Sequence, residues 1–488
     1  MKKLMMISAL LVSVLLSAQP FESVTYKVFN QNCPPLECIG NLRTFKSGKV
    51  AAERWSVGYE CVDRGYAKYS ESGSYISQLG VSRARIQSGW ARTESKKGKY
   101  DYAWLDEVVD GILSQNVKPW MCLGYGNPIY SSEITLGAKI FTDEPTMKAW
   151  EKYVETTVAR YKGKVALWEV WNEPNQKVNK DNPSTYTNLL VRTCEAIKRV
   201  DPEAQIAAFA LASVDAPYLS HVLNELKQMS KTDLFTHVSL HKYYENPDDC
   251  DYDFMTLRKI IHDFNPEIIV FQGESGCPSK LEWTHALKHI EFDEYIQAKT
   301  VLRRMCCDFI IGQACSIFTL TDLIYPDMQQ SFGLLRTGLD YKVKYKKPSF
   351  YAVRNMVNLL PDNITPFEVE FTSNTARQMK VTGLKDGDRT IGLMYYFSDN
   401  APVSSLDWDD VTLTVKNLKI QNPVFVEPIT GKVFNLNLYH YSPNSPDTKY
   451  TNIPVWDSPV MIMDKSAIRL VSPDTDRKSL EKDFNTEM

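Results

Sequence analysis

Strand-like and helix-like segments alternate from about residue 55 to residue 360, and no other feature limits the possible folds of this chain as strongly. The strand-like segments end near Tyr59, Gln87, Leu123, Trp171, Leu211, His241, Gln272 and Leu320. The helix-like segments between them cover residues 101–114, 146–161, 183–199, 216–229, 255–263 and 291–312. Strands that alternate with helices build parallel sheets, so eight such units predict an α/β fold, a closed (β/α)8 TIM barrel over residues 51–361.

An open, doubly wound sheet is the alternative fold for the same alternation. Sheets of that kind commonly carry a glycine-rich phosphate loop after the first strand, and this chain has none there. After Pro361 the pattern changes to short strand-like segments separated by turn clusters, which predicts an antiparallel β-sandwich over residues 362–472. Residues 19–50 also have a β-like pattern, and we expect them to pack with this sandwich. Residues 473–488 form a polar tail.

The N-terminus has the layout of a secretory signal. Lys2 and Lys3 precede an apolar stretch over residues 4–16, and the small residues Ser17 and Ala18 follow it. This pattern predicts a signal peptide over residues 1–18 and an exported protein, periplasmic or extracellular in a bacterium. The first cysteine is residue 33, which argues against a lipid anchor. No later segment is apolar for long enough to predict integral membrane association.

Charge and residue spacing exclude two classes of partner. The formal net charge is -3, which argues against an electrostatic footprint for nucleic acid. The cysteine spacings match no zinc site and the histidines are scattered, so we predict neither a metal nor a cofactor. The sequence does not predict an oligomeric state.

The fourth strand-like segment leads directly into a carboxylate. Residues 165–171 are mostly apolar, and Asn172, Glu173 and Pro174 follow them. Proline cannot donate to a strand ladder, so the strand must stop here and leave Glu173 at its carboxyl end. Barrel enzymes carry out their chemistry at that end of the strands.

The seventh strand-like segment has the same design. Residues 268–271 are apolar, which is typical of a strand buried on both faces, and Glu274 follows. Gly273 and Gly276 flank this acid, so the chain can turn sharply there and a ligand can come close. Two carboxyl groups that face each other across one cavity are the minimum equipment for cleaving a glycosidic bond.

These elements together resemble clan A glycoside hydrolases, and the wider pattern is most similar to glycoside hydrolase family 39 and its relatives. The motif that carries the resemblance is Trp-Asn-Glu-Pro at residues 171–174, followed by a second glutamate at a later strand end. Weaker matching pieces occur at residues 79–87, 99–102, 123–128 and 240–243, within an overall span of roughly 55–360.

The resemblance implies an exported retaining hydrolase of β-linked sugars in oligo- or polysaccharides, acting without a cofactor. Glu173 takes the role of general acid/base and Glu274 that of nucleophile. Proximity to an ionised Glu274 and partial burial are expected to raise the pKa of Glu173. The alternative is a non-catalytic carbohydrate-binding protein on a hydrolase barrel, or a barrel that serves a glycan-binding sandwich.

The resemblance also implies roles for residues around the two glutamates. Asn172 is expected to hydrogen-bond the sugar 2-hydroxyl, or else to be a turn residue. Arg85 is expected to hold Glu274 ionised, or else to form an ordinary ion pair. Tyr243 is expected to donate a hydrogen bond to Glu274. His241 is either a substrate contact or a structural residue.

Four further residues are assigned to sugar contacts from their positions after strand ends. Trp90 follows the second strand, Asn127 and Tyr130 follow the third, and Asp322 follows the eighth. Asp322 is expected either to bind a hydroxyl group or to be a simple rim acid. Many clan members have a tryptophan near the end of the eighth strand that forms the floor of the sugar site. This chain has Phe-Thr-Leu-Thr-Asp at residues 318–322 instead, a departure that leaves the sugar open. We interpret Glu169 as a buried structural acid with Arg85 as a possible partner.

Overall fold

The computed structural model describes residues 34–130, 139–176, 179–405, 407–436, 439–441 and 446–472. The predicted signal peptide, the β-like residues 19–33 and the polar tail from residue 473 lie outside the described residues. The centre is a closed barrel of parallel strands, which confirms the predicted fold class. Its eight strands are Trp55–Gly58, Arg83–Gln87, Lys118–Leu123, Leu167–Val170, Ile206–Leu211, His237–His241, Ile269–Ser275 and Cys315–Ile317.

The α-helices of the described residues lie mostly where apolar side chains recur with helical spacing. Their bounds are Tyr69–Ser72, Trp90–Thr93, Ala103–Ser114, Glu144–Tyr161, Pro183–Val200, Ala216–Gln228, Cys250–Phe264, Glu294–Ile310 and Pro348–Leu359. The largest shift from the predicted bounds is at Cys250, where the helix begins five residues early. A short 3-10 helix, Pro247–Asp249, precedes it, and the Asn246 side chain caps that turn. No helix of the described residues is both long and apolar enough to cross a membrane.

The interior of the barrel has an apolar layer below a polar one. Trp120, Leu167, Ala207 and Phe271 form a small cluster of their own, separate from the main core. Side chains two residues further along a strand point into the same interior. On the fourth strand this step leads from Leu167 to Glu169, which is fully buried. The Arg85 guanidinium lies 5.4 Å from the centroid of the Trp120 ring and so forms the bottom of the polar layer.

Two antiparallel sheets follow the barrel, as the sequence predicted. The larger has the spatial order Ile364–Glu368, Met379–Asp386, Arg389–Phe397, Val460–Asp464, Pro423–Glu427, Lys432–Asn435, Cys38–Leu42 and Leu470–Val471. The smaller has the order Phe371–Ser373, Asp409–Val415, Thr448–Val455 and Tyr439–Tyr441. In chain order, two short hairpins come between the last barrel strand and these sheets. Their strands are Leu323–Ile324, Gln329–Gln330, Leu335–Thr337 and Val343–Lys346.

The larger sheet is covered on both faces. Along Arg389–Phe397, Leu393 and Tyr395 belong to the core between the two sheets. The alternate residues Met394 and Tyr396 belong to the core that the sheet shares with the barrel. Strand Cys38–Leu42 pairs with this sheet, so the described N-terminal residues join the C-terminal domain.

Candidate active site

Glu173 stands in a turn that the surrounding loops hold in place. The fourth strand ends at Val170, and the backbone φ angles of Trp171 and Glu173 are 67° and 51°, in the left-handed region. Such angles are costly for residues other than glycine and cluster at functional sites. The Glu173 backbone N–H donates to the Ala210 carbonyl at 3.0 Å, which ties the turn to the end of the fifth strand. The Gln176 side-chain amide donates to the Glu173 carboxylate at 2.6 Å.

Glu274 lies at the end of the seventh strand with two strong donors. Arg85 Nη1 donates to Glu274 Oε2 at 2.9 Å, and the Tyr243 hydroxyl donates to Glu274 Oε1. The carboxylate is nearly buried, with 12% of its side chain exposed, so the charge-assisted bond to Arg85 is screened little by solvent. The absence of a side chain at Gly273 is required, because a Cβ atom there would lie 2.8 Å from His241 Nε2.

The two carboxylates come together at the carboxyl ends of the barrel strands. Glu173, His241 and Glu274 each offer an atom within 4.8 Å of the other two. His241 Nδ1 lies 3.5 Å from Glu173 Oε1 and 3.4 Å from Glu274 Oε2. Burial lowers the pKa of His241 to about 4, so the ring is neutral at physiological pH. A neutral ring separates the carboxylates without pairing with either as a cation.

Arg85 organises the floor of this cavity. Its Nε and Nη2 atoms donate to Glu169 Oε2 at 2.9 and 2.6 Å, so the interpretation of Glu169 as its buried partner agrees with the structure. Nη2 also donates to the Asn172 side-chain carbonyl at 2.8 Å, which fixes the orientation of that amide. The Ser239 hydroxyl donates to Glu169 Oε1 at 2.6 Å. The Asn172 amide NH2 is thus the end of this side chain that is turned away from Arg85.

Three of the residues predicted to contact sugar form hydrogen bonds with another residue of the protein. Trp90 Nε1 and the Tyr130 hydroxyl donate to the Glu94 carboxylate at 2.7 and 2.5 Å, and the Asn127 amide donates to the Glu94 carbonyl at 2.8 Å. Trp90 also stacks on Tyr153, with ring centroids 5.7 Å apart. These contacts account for the polar atoms that were assigned to sugar, and the geometry gives that assignment no support.

Asp322 also forms its contacts with other residues of the protein. It is buried, with Lys347 Nζ 2.7 Å from Oδ1 and Arg336 Nη1 3.3 Å from Oδ2. The sequence predicted either a ligand for a sugar hydroxyl or a simple rim acid, whereas the structure pairs Asp322 with the buried Lys347. Phe318, which follows the eighth strand, contacts the Tyr243 ring edge to face at a centroid distance of 6.2 Å.

Glu60 is a residue of the site that the sequence interpretation missed. It follows the first strand, is 2% exposed, and accepts from Arg85 Nη1 at 3.2 Å. Burial raises the pKa of Glu60 to about 7, although Arg85 opposes the rise. The sequence signal for Glu60 was weak, because this single acid, two residues past a strand end, is not part of a larger motif.

Two groups of side chains in the described residues have donor atoms close enough for a metal ion. One is Glu173 with His241 and Glu274, and the other is Cys250 with Asp251 and Cys307. In the second group Lys380 Nζ lies 3.7 Å from the Asp251 carboxylate, so an ammonium group already neutralises it. Neither group requires a metal to account for its contacts.

Comparison with known proteins shows the family of this chain. The model of the family described as "Glycosyl hydrolases family 39" matches residues 83–433. A β-xylosidase from Caldicellulosiruptor saccharolyticus is 25% identical over 367 residues, which cover 67% of this chain and 69% of that protein. An aryl-phospho-β-D-glucosidase from Bacillus subtilis (strain 168) is 23% identical over 203 residues, 39% of this chain and 40% of that protein.

Solved structures share the architecture. A family 39 glycoside hydrolase from the gut symbiont Bacteroides cellulosilyticus WH2 superposes with a TM-score of 0.66 at 18% identity, covering 85% of this chain and 81% of the other. An identity this low shows the fold alone. The alignments to the first four curated relatives span only 32–40% of those relatives' lengths.

Proposed function

Since this chain belongs to glycosyl hydrolases family 39, we propose that it is a retaining glycosidase that cleaves β-linked sugars by double displacement. Glu274 attacks the anomeric carbon and forms a covalent glycosyl-enzyme while Glu173 protonates the departing oxygen. Glu173 then takes a proton from the water that releases the sugar. The observation that carries the proposal is the approach of the two carboxylates to within 4.8 Å.

An approach of carboxylate oxygen atoms to within 4.8 Å favours retention over inversion. Carboxyl groups of retaining enzymes lie about 5–5.5 Å apart, whereas inverting enzymes need about 6.5–9.5 Å to admit a water molecule between acid and base. The contacts also distinguish the two roles. Glu274 pairs with the cation Arg85, which suits an anionic nucleophile, and Glu173 accepts from the neutral Gln176 amide.

We propose β-xylosides as the first substrates to test, because the relative aligned over most of its length is a β-xylosidase. The experiment screens aryl β-glycosides of xylose, glucose, galactose and mannose, and then applies the 2-deoxy-2-fluoro analogue of whichever sugar is cleaved. We expect time-dependent inactivation, a mass increase of one sugar on the peptide that contains Glu274, and a β-anomer as the first product by NMR. Label on another residue or a first-formed α-anomer refutes the mechanism, and sugar binding without turnover favours the non-catalytic alternative.

Replacement of Glu173 by alanine tests the acid/base role separately. We expect kcat/KM for phenyl glycosides to fall by about 10²–10⁴-fold, the usual contribution of general acid catalysis. The loss should be far smaller for 2,4-dinitrophenyl glycosides, because that leaving group departs without a proton. The control is Glu203→Ala, an exposed carboxylate that precedes the fifth strand at the opposite end of the barrel. Equal losses for both leaving groups would assign the proton transfer to another residue.

A further inference from the structure

More carboxyl groups surround Arg85 than one cation can neutralise. Oxygen atoms of Glu60, Glu169 and Glu274 lie 3.2, 2.6 and 2.9 Å from its nitrogen atoms, and none of these side chains is more than 12% exposed. His241 adds no positive charge, because burial keeps its pKa near 4. Ionising all three acids would leave two uncompensated negative charges in a buried site, which is strongly unfavourable. At least one of the three therefore holds a proton.

The hydrogen bonds indicate which acid holds it. The Thr319 hydroxyl oxygen lies 2.8 Å from the Gly58 carbonyl and 3.2 Å from Glu60 Oε2. A hydroxyl has one hydrogen, and the shorter contact to the carbonyl uses it. The longer contact is then satisfied by a proton on Glu60 Oε2, donated to the Thr319 oxygen.

The other two acids have the contacts of carboxylates. Glu169 accepts from Arg85 at two nitrogens and from the Ser239 hydroxyl. Glu274 accepts from Arg85 and from the Tyr243 hydroxyl. Each therefore accepts a hydrogen bond on both carboxyl oxygens, which favours the ionised form of these two acids over that of Glu60.

We infer that Glu60 is a positioning residue for the nucleophile: its neutral carboxyl lets Arg85 Nη1 stay on Glu274, and its ionisation draws Nη1 away. The inference rests on the proposed function, because it acts through the group assigned as nucleophile. The two acids compete for one nitrogen, at 3.2 Å for Glu60 and 2.9 Å for Glu274. A second full charge on the Glu60 side would shift that balance.

The first strand is built to admit this carboxyl. A Cβ atom on Gly58 would lie 2.3 Å from Glu60 Oε2 and 2.6 Å from Oε1. Glu60 thus folds back over a residue that must be glycine and reaches the barrel interior beside Arg85.

The switch operates near neutral pH. Burial is the largest cause that raises the pKa of Glu60 to about 7, and the charge of Glu274 raises it further against the pull of Arg85. A carboxyl with a raised pKa is neutral below that value, so the competent arrangement is present below pH 7 and is lost above it. Two further titratable groups that face Glu60 are Cys61, which follows it in the chain beyond the end of the first strand, and Tyr243 beyond Glu274. The pKa of Cys61 is raised to about 12, and that of Tyr243 is well above 10, so both stay neutral.

The test is the pH profile of kcat/KM for a 2,4-dinitrophenyl glycoside, whose first step needs no general acid. We expect the wild-type value to fall about tenfold per pH unit above pH 7, as loss of one essential proton requires. Glu60→Gln cannot ionise but keeps the acceptor for Arg85. We expect it to begin about threefold lower at pH 6 and to stay level to pH 9, since the titrating group is gone. An identical fall of kcat/KM at alkaline pH in the wild type and in Glu60→Gln would overturn the inference.

A second variant covers the case in which Glu60→Gln does not fold. Thr319→Val keeps the shape of the side chain and removes the acceptor of the Glu60 proton, so the alkaline limb should move to lower pH. A purely structural role for Glu60 would leave the limb where it is. Labelling of Glu274 by the fluorinated glycoside is measured on the same wild-type sample. If Glu274 is labelled but the alkaline limb of kcat/KM does not move in the variants, only the role of Glu60 is refuted. Failure to label Glu274 refutes the proposed function.

Discussion

Replacement of Glu274 by alanine is expected to lower kcat for aryl glycosides by about 10⁴-fold or more, because no covalent intermediate can form without the nucleophile. The fold should remain intact and become no less stable. Three acids share Arg85 in the wild-type protein, and the variant removes one of them from a buried site with excess negative charge. We expect an unfolding midpoint equal to or above that of the wild type.

Azide supplies the decisive measurement for this variant. The space left by the carboxylate lets a small anion reach the anomeric carbon, and attack from that side gives a glycosyl azide of inverted configuration. NMR of the product distinguishes the two azide anomers. The matched control is Glu245→Ala, an exposed carboxylate two residues after Tyr243, which should keep full activity. Normal turnover by Glu274→Ala, or an azide product of retained configuration, would contradict the assignment.

The barrel explains why so much of this site could be predicted from sequence. Eight parallel strands bring all their carboxyl ends to one rim, so any residue that ends a strand is already near the others. Arg85 lies within the second strand, Glu173 follows the fourth and Glu274 lies near the end of the seventh. The structure brings the two glutamates together, with Arg85 bound to Glu274 and the neutral His241 in contact with both. The Arg85–Glu274 and Tyr243–Glu274 hydrogen bonds follow from the same geometry.

Side chains that lie just beyond the strand ends were harder to predict. Position after a strand places Trp90, Asn127 and Tyr130 at the rim but does not say whether their polar atoms face the cleft or the core. Glu94 decides this, because it gathers all three within hydrogen-bonding distance. Glu94 ends no strand and belongs to no motif, so no pattern along the chain distinguishes it.

Glu60 shows a limit of a different kind. Its protonation depends on Arg85 from the second strand, Glu274 from the seventh and Thr319 after the eighth. Arg85 lies 25 positions from Glu60, Glu274 lies 189 positions from Arg85, and Thr319 lies 259 positions from Glu60. No spacing along the chain encodes a charge balance among four elements. Only the assembled barrel reveals that one cation serves three acids.

The balance of charge around Arg85 also predicts the largest effect of a substitution on the free energy of unfolding. Arg85→Met should reduce the free energy of unfolding by about 3–5 kcal/mol at pH 8, the usual cost of removing one partner from a buried ion pair. The methionine fills the volume above Trp120 but leaves Glu60, Glu169 and Glu274 without their shared cation. Burial without a cation then disfavours the ionised form of these acids in the folded state relative to the unfolded chain. A raised carboxyl pKa means that stability is lost as pH rises, so the deficit should be smaller at pH 5 than at pH 8.

Urea unfolding at both pH values measures this, and the chain offers a close control. Arg83 lies two residues earlier on the same strand and pairs with Glu53 at 3.1 Å, but its side chain is 28% exposed and that of Glu53 is 51% exposed. An exposed pair contributes about 0–1 kcal/mol, so Arg83→Met should change stability little at either pH. Adding Glu169→Gln to Arg85→Met should restore part of the loss at pH 8, because it removes one unpaired buried charge. A deficit in Arg85→Met that is independent of pH would show that packing, and not charge, makes this residue necessary.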